Sequence, residues 1–404
     1  MASLSGHLLI RDLHSIEKNS RCNRKSRRDE EEGVQDDLQE EEYSGLVDEA
    51  LDMICDASKS KRLGGLAALE TYLLHHAGNA EIEKHENTLE SVLFGCLRRG
   101  KVEERCKAAT VLGLIVFHYG INDFTEEILE KMERYAARIL SDVQKDDYSE
   151  LIRSTAIIYF VLCDNPSDTF EFMRLLLSVA DKGKSDSQRE SALRCWTFLL
   201  IDIASINLGG PEFVEEALKV MHRYLFHTES GVRLAAGEAI TMLYSQYGLA
   251  SLNSYESQDT SRQDDEAKSG LELILGRMKD IEKNIGETTR KSKKDRTEQR
   301  GEFKEFLKII DGESPKQSKI SLPNGQTLIV DTFSRIVQLN MLRLFLGSGF
   351  QGHLLHNALM HEIFDFEPLE FEAERTNSDE KKVRNKERNE ERRLSSALKS
   401  SMIL

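Results

Sequence analysis

The stretch Arg105-Cys106-Lys107-Ala108-Ala109-Thr110-Val111-Leu112-Gly113-Leu114-Ile115-Val116 decides the fold. An arginine is followed three positions later by a small residue, and then by Leu112, Ile115 and Val116 at helical spacing. The same opening returns as Arg62/Gly65, Arg153/Ala156, Arg189/Ala192 and Arg233/Ala236, about 36 to 48 residues apart. That is the period of helical-repeat arrays of the armadillo and HEAT type. A small residue one turn after the arginine lets two helices approach to the short end of the roughly 8–10 Å interaxial range. Leucine at the same position would hold them apart.

Between these helices lie second apolar segments: Val92 to Leu97, Ile128 to Leu140, Phe170 to Val179 and Phe213 to Leu225. They complete antiparallel helix pairs. The fold class is therefore all-α, an armadillo/HEAT-like helical-repeat solenoid. Expected helix starts are Ser60, Asn122 or Asp123, and Asp186 or Ser187 as caps, with Pro211 in the first turn of a later helix.

Composition agrees with an elongated array. The chain has 404 residues and only five prolines, and it exceeds the size at which one core keeps growing. A formal charge of −15 excludes an all-over nucleic-acid coat, because an acidic surface repels phosphate, but it leaves room for a local basic element. No apolar run approaches the roughly 20 residues of a membrane span, and the N-terminus has no signal-peptide core, so a cytoplasmic location is expected. Arg24, Lys25, Arg27 and Arg28 form a patch that could direct nuclear entry. Cys22, Cys55, Cys96, Cys106, Cys163 and Cys195 are scattered, with no Cys-x-x-Cys, and read as reduced thiols.

The chain divides into five segments. Residues 1–43 join a basic cluster to an acidic run and are expected to be disordered. The array covers 44–248. Residues 249–299 read as a polar loop and a charged helix, the helix extending over about 266–306. Residues 300–366 form a small C-terminal helical module with one β-hairpin, Lys319–Leu322 against Thr327–Val330 around Pro323-Asn324-Gly325-Gln326. Asp331 or Thr332 caps the helix that follows. Residues 367–404 are a basic, partly helical tail.

Motif searches turn away from chemistry. Gly347-Ser348-Gly349-Phe350-Gln351-Gly352 satisfies the dinucleotide fingerprint by letter, but a helix rather than a strand precedes it, so it reads as a glycine helix cap. His353, His356 and His361 do not share one helical face and read as structural or surface residues. There is no Gly-x-Ser-x-Gly elbow and no phosphate-binding loop. No enzyme activity, metal, cofactor or small-molecule substrate is expected.

The tail differs from the rest. Lys381, Lys382, Arg384, Lys386, Arg388, Arg392 and Arg393 lie in a helix-permissive segment almost devoid of apolar residues. Such a helix has no core face to fold on, but it can order on phosphates. Arg290, Lys291, Lys293, Lys294 and Arg296 form a secondary basic patch.

Several stretches together resemble the interferon-related developmental regulators. Early ones are Leu89 to Gly100, Lys101-Val102-Glu103-Glu104, Ala108-Ala109 and Leu112-Gly113. Later ones are Leu346-Gly347-Ser348-Gly349, His353-Leu354, Asn357, Leu359 and Ile363-Phe364, and the basic Lys382-x-Arg384-x-Lys386-x-Arg388. The resemblance covers about residues 45–395. Glu387, Glu390 and Glu391 depart from it by diluting the charge of the tail. It implies regulation of gene expression without catalysis, in one of two ways. The first is binding to the ribosome, to ribosomal RNA and ribosomal proteins, as a translational silencer whose C-terminal helix occupies RNA passages. The second is a nuclear co-regulator that binds protein partners of transcription complexes.

Overall fold

The computed structural model describes residues 35–75, 80–141, 146–203, 211–256, 270–283, 293–322 and 324–367. Its helices alternate between two layers. The layer that carries the recurring arginines contains α2 (Lys59–His75), α5 (Val102–Tyr119), α7 (Ser149–Leu162), α9 (Asp186–Leu199) and α11 (Ser230–Glu256), and it ends on α13 (Lys293–Ile310). Each touches the next in that order. The other layer contains α1 (Gln35–Cys55), α4 (Glu86–Arg99), α6 (Asp123–Leu140), α8 (Pro166–Lys182), α10 (Pro211–Tyr224) and α12 (Gly270–Lys283), each against its partner in the arginine layer. A single turn, α3 (Ala80–Glu83), precedes α4.

The small residues sit where the helices meet. Ala108, Ala156, Ala192 and Ala236 are all fully buried. At Gly65 a β-carbon would lie 2.5 Å from the Ala50 carbonyl oxygen, so only glycine admits α1 this close. Around them Phe117, Trp196 and Phe198 are completely buried in one continuous core.

The arginines join successive repeats. Arg62 Nε donates to Glu104 Oε1 of α5 at 2.6 Å, and Arg105 Nη1 donates to the Tyr148 hydroxyl ahead of α7 at 3.3 Å. Arg153 Nη1 donates to Ser191 Oγ of α9 at 3.0 Å, and Arg233 Nη2 donates to Gln299 Oε1 of α13 at 2.5 Å. Arg189 pairs with Asp186 at 3.0 Å, and His227, just before α11, faces the same carboxylate at 3.5 Å. Arg62 and Arg233 also share one local pattern, each donating to the carbonyls five and six residues before it. Arg62 and Arg233 thus each close their own entry turn and reach forward.

Helix starts follow local chemistry with two shifts from expectation. Asn122 caps α6, accepting from Thr125 N at 2.9 Å, and Pro211 opens α10. The cap of α9 is Ser185, whose Oγ accepts from Gln188 N at 3.1 Å, one residue before the expected Asp186. Ser60 lies inside α2 rather than capping it.

Three boundaries also differ. Helix α1 begins at Gln35, inside the segment expected to be disordered; residues 1–34 lie outside the described ones. Helix α11 runs through Gly248 to Glu256. In place of one charged helix over 266–306 there are two, α12 and α13, and they form a sixth pair. Leu271, Ile274, Met278 and Ile281 give α12 a buried face, and Phe303 and Phe306 do the same for α13. Gly237 of α11 makes room, since a β-carbon there would lie 3.0 Å from Phe303.

The C-terminal module follows. Strands β1 (Ser318–Ser321) and β2 (Thr327–Val330) pair antiparallel, Ser318 opposite Val330 and Ser321 opposite Thr327. Gly325 turns the chain at φ 86°, and Leu322 N donates to Gln326 O at 2.8 Å. Ile320, Leu322, Leu328 and Val330 are buried, so the hairpin is held by the helices it covers. Helix α14 (Phe333–Leu346) is capped by Thr332, and α15 (Phe350–His356) and α16 (Ala358–Phe364) complete the module.

Candidate nucleic-acid interface

The module folds back across the arginine layer. Helix α14 contacts α9 and α11, while α15 and the turn before it contact α2. Phe345 lies against Gly113 of α5 and meets Phe117 edge-on at 6.4 Å. His353 Nε2 is 3.1 Å from the Leu73 carbonyl, and His118 Nε2 reaches the same oxygen at 2.5 Å. Asn357 Nδ2 donates to Phe117 O at 3.0 Å. Burial, with His118 alongside, depresses the His353 imidazole to about 3. This face of the first repeats is therefore filled by the chain's own C-terminal helices.

The glycine motif serves that docking. Gly347 ends α14 at φ 49°, its N–H bonded to the Arg343 carbonyl, and Gly349 lies so close to α2 that a β-carbon would collide with the Leu74 carbonyl oxygen. The three histidines go separate ways: His353 into the interface, His361 to the Leu354 carbonyl at 3.1 Å, and His356 to the exposed surface. Among the described residues, the potential metal ligands that do converge are Glu133, Cys163 and Asp168, within 4.8 Å of one another. Burial pushes the Cys163 thiol and the Glu133 carboxyl up, and local donors already serve the group: Thr169 Oγ1 to Cys163 at 3.4 Å and Asn165 Nδ2 to Asp168 at 2.8 Å.

A cavity of about 430 Å³ opens beside the Arg62–Glu104 pair, lined also by Cys55, Cys96 and Arg99. Burial raises the Cys96 thiol, the opposite of what a nucleophile needs. Burial also opposes ionisation of Glu104, but Arg62 and the Lys101 N–H outweigh it and hold the carboxyl below its ordinary range.

The expected basic residues divide between what is described and what is not. Lys381, Lys382, Arg384, Lys386, Arg388, Arg392 and Arg393 lie outside the described residues, as do Arg290 and Lys291. Lys293 opens α13, and Lys294 and Arg296 are exposed on it. The described chain ends at the hairpin, where Gln326 Nε2 donates to Glu367 O at 3.1 Å.

Helix α13 carries more charge than the secondary patch foresaw. Its core face is Gln299, Phe303, Phe306 and Ile310. On one flank Asp295, Glu298, Glu302 and Glu305 recur at three- and four-residue intervals, and on the other Arg296, Arg300, Lys304 and Lys308 recur every four. The acidic flank approaches Arg194, which bonds Glu190 at 3.0 Å and Glu238 at 3.1 Å. Burial and Glu238 together push the Glu302 carboxyl up, Arg194 only partly offsetting them. The interval of four in the cations was visible in the sequence, but α13 had to be phased by its buried phenylalanines before it had a meaning.

A family model, Interferon-related developmental regulator (IFRD), matches residues 15–311, which takes in all the described paired helices and stops where α13 does. The chain belongs to that family. Among members, it is 23% identical to mouse Interferon-related developmental regulator 2 over 353 residues, covering 84% of this chain and 76% of the relative. It is 23% identical to human Interferon-related developmental regulator 1 over 355 residues, covering 84% and 74%. A solved structure from "Structural Basis of Microtubule Plus End Tracking by XMAP215, CLIP-170 and EB1" aligns with a TM-score of 0.37 and 13% identity, over 62% of this chain and all of the other. Among the described residues of this chain, no helix is long and apolar enough to cross a membrane.

Proposed function

We propose that this chain is a non-enzymatic regulator of gene expression that binds the ribosome and silences translation. The observation that carries the reading is the separation of charge. A chain of formal charge −15 gathers Lys381, Lys382, Arg384, Lys386, Arg388, Arg392 and Arg393 into one short terminal segment. A cationic helix among ribosomal RNA phosphates gains from counterion release and excludes messenger RNA by occupying its path. The acidic array is suited to basic ribosomal proteins. The relatives' name, developmental regulator, is consistent with control rather than catalysis.

The alternative is a nuclear co-regulator that holds partner peptides on the solenoid. The docking of α14 and α15 on α2, α5, α9 and α11 favours the ribosome instead, because it covers part of the layer such peptides would use. Fractionation of cells expressing the full chain separates the two. Recovery with ribosomes in the cytoplasm supports silencing; nuclear accumulation dependent on Arg24, Lys25, Arg27 and Arg28, with no ribosomal fraction, supports the co-regulator.

A further inference from the structure

We infer that the cationic flank of α13, formed by Arg296, Arg300, Lys304 and Lys308, is a second contact for RNA, following the phosphates of one strand. The inference rests on the RNA-binding reading above but uses a different part of the molecule. Arg296, Arg300 and Lys304 are exposed, and Lys308 keeps 42% of its side chain accessible beside Glu305 at 3.7 Å. Among the described residues, Arg296 and Lys304 have no ion-pair partner. Arg300 Nε donates to the Glu282 carbonyl at 2.9 Å, which ties α13 to the end of α12 and leaves the rest of the guanidinium turned to solvent.

The geometry suits that partner. Each step of four residues advances about 6 Å along a helix and turns about 40° around it, so the four cations climb roughly 18 Å on a shallow spiral. A nucleic-acid strand offers phosphates at a constant interval along a path that also winds. An acidic helix can also present carboxylates in a row, so the experiment below includes polyglutamate to separate the two.

The segregation of charge on α13 gives the row its purpose. The acidic residues of α13 lie on the other flank, where Glu302 feels the charges of Arg194 on α9 and Glu238 on α11. Scattered over both flanks, the same residues would cancel the cations. Instead the basic flank is left as a local exception on an acidic protein. Its neighbours in sequence, Lys293 and Lys294, extend the positive character toward the start of the helix.

The test uses the full-length chain, with R296Q, R300Q, K304Q and K308Q combined. Circular dichroism should match the unchanged chain and the melting temperature should stay close to it, R300Q giving up only the solvent-exposed bond to the Glu282 carbonyl. Binding to a single-stranded homopolymeric RNA is then followed across salt concentrations. Loss of four phosphate contacts should reduce the slope of log K against log salt by about 3 and weaken low-salt binding at least tenfold. Unchanged slope and affinity would overturn the inference, as would absence of RNA binding by the unchanged chain. So would a loss of binding to polyglutamate with RNA binding intact, which would assign the flank to an acidic protein. Ribosome co-sedimentation is scored separately. A chain that binds free RNA through α13 but does not sediment with ribosomes would contradict the silencing reading and leave this one standing.

Discussion

Arg62 and Glu104, 42 residues apart, form a 2.6 Å ion pair between the first two helices of the arginine layer, with the Glu104 side chain only 1% accessible. Glu104 Oε2 also accepts from the Lys101 N–H at 3.0 Å, so one carboxylate closes the turn into α5 and receives the previous repeat's arginine. Arg62→Met removes the partner of the inaccessible Glu104 carboxylate and should lower stability measurably, because the charge left behind is uncompensated. Glu104→Gln leaves no uncompensated carboxylate and keeps one acceptor oxygen, losing the bond to either Arg62 Nε or the Lys101 N–H, and should cost less than Arg62→Met. Urea unfolding of both variants measures the difference, and equal, small losses would show that the arginine contributes little to joining the repeats.

Two glycines of the motif at the end of α14 should behave oppositely. Gly349→Ala brings a methyl against the Leu74 carbonyl and should destabilise the docked module by roughly 1–3 kcal/mol. At Gly352 in α15 a β-carbon meets nothing within 4 Å, and alanine should stabilise by about 0.5–1 kcal/mol through helix propensity. Thermal unfolding gives both signs. Hydrogen exchange should report the first as lost protection in α15.

Docking of the module should also weaken in acid. His353 titrates near 3 when folded against 6.5 for the free side chain, so between those values the unfolded chain binds more protons than the folded one. The stability due to neutral His353 is thus fully present above pH 6.5 and declines as pH falls toward 3. His118, depressed in the same direction by burial, adds to the trend. Amide exchange of α15 measured from pH 7 to pH 4 should show the decline, and His353→Gln should flatten it. A pH-independent profile would mean that the ring is not sequestered on Leu73.

How much of this was legible in the sequence follows from the range of the contacts. Ala108, Ala156, Ala192 and Ala236 mark places where backbones meet within a repeating unit, and a repeating unit leaves a period. The hairpin was legible for the same reason: Asn324-Gly325 acts on its immediate neighbours. The fold-back of the module was hidden, because His353 meets Leu73 across 280 residues and nothing local to either residue announces the other. The sixth helix pair was hidden by charge, α13 having charged residues at all of its first four positions and no arginine-plus-small opening. Of the candidate interface, Lys294 and Arg296 were found from composition. Arg300, Lys304 and Lys308 joined them only when Phe303 and Phe306 fixed which way the helix faces.

The C-terminal tail should act through charge rather than shape. Replacing Lys381, Lys382, Arg384 and Lys386 by glutamine should lower ribosome affinity at low salt by at least tenfold and shrink its salt dependence, with little effect on melting temperature. Replacement by arginine at the three lysines should preserve binding. Loss of binding in the lysine-to-arginine variant would point to a specific contact instead.

Sedimenting purified ribosomes with the full-length chain and with a chain ending at Glu380, at low salt, reads out ribosome binding through the tail. The full chain should travel with the ribosome, and the shortened chain should stay largely at the top of the gradient. Equal co-sedimentation of the two would contradict a role for the cationic tail, and no co-sedimentation of either would contradict ribosome binding itself.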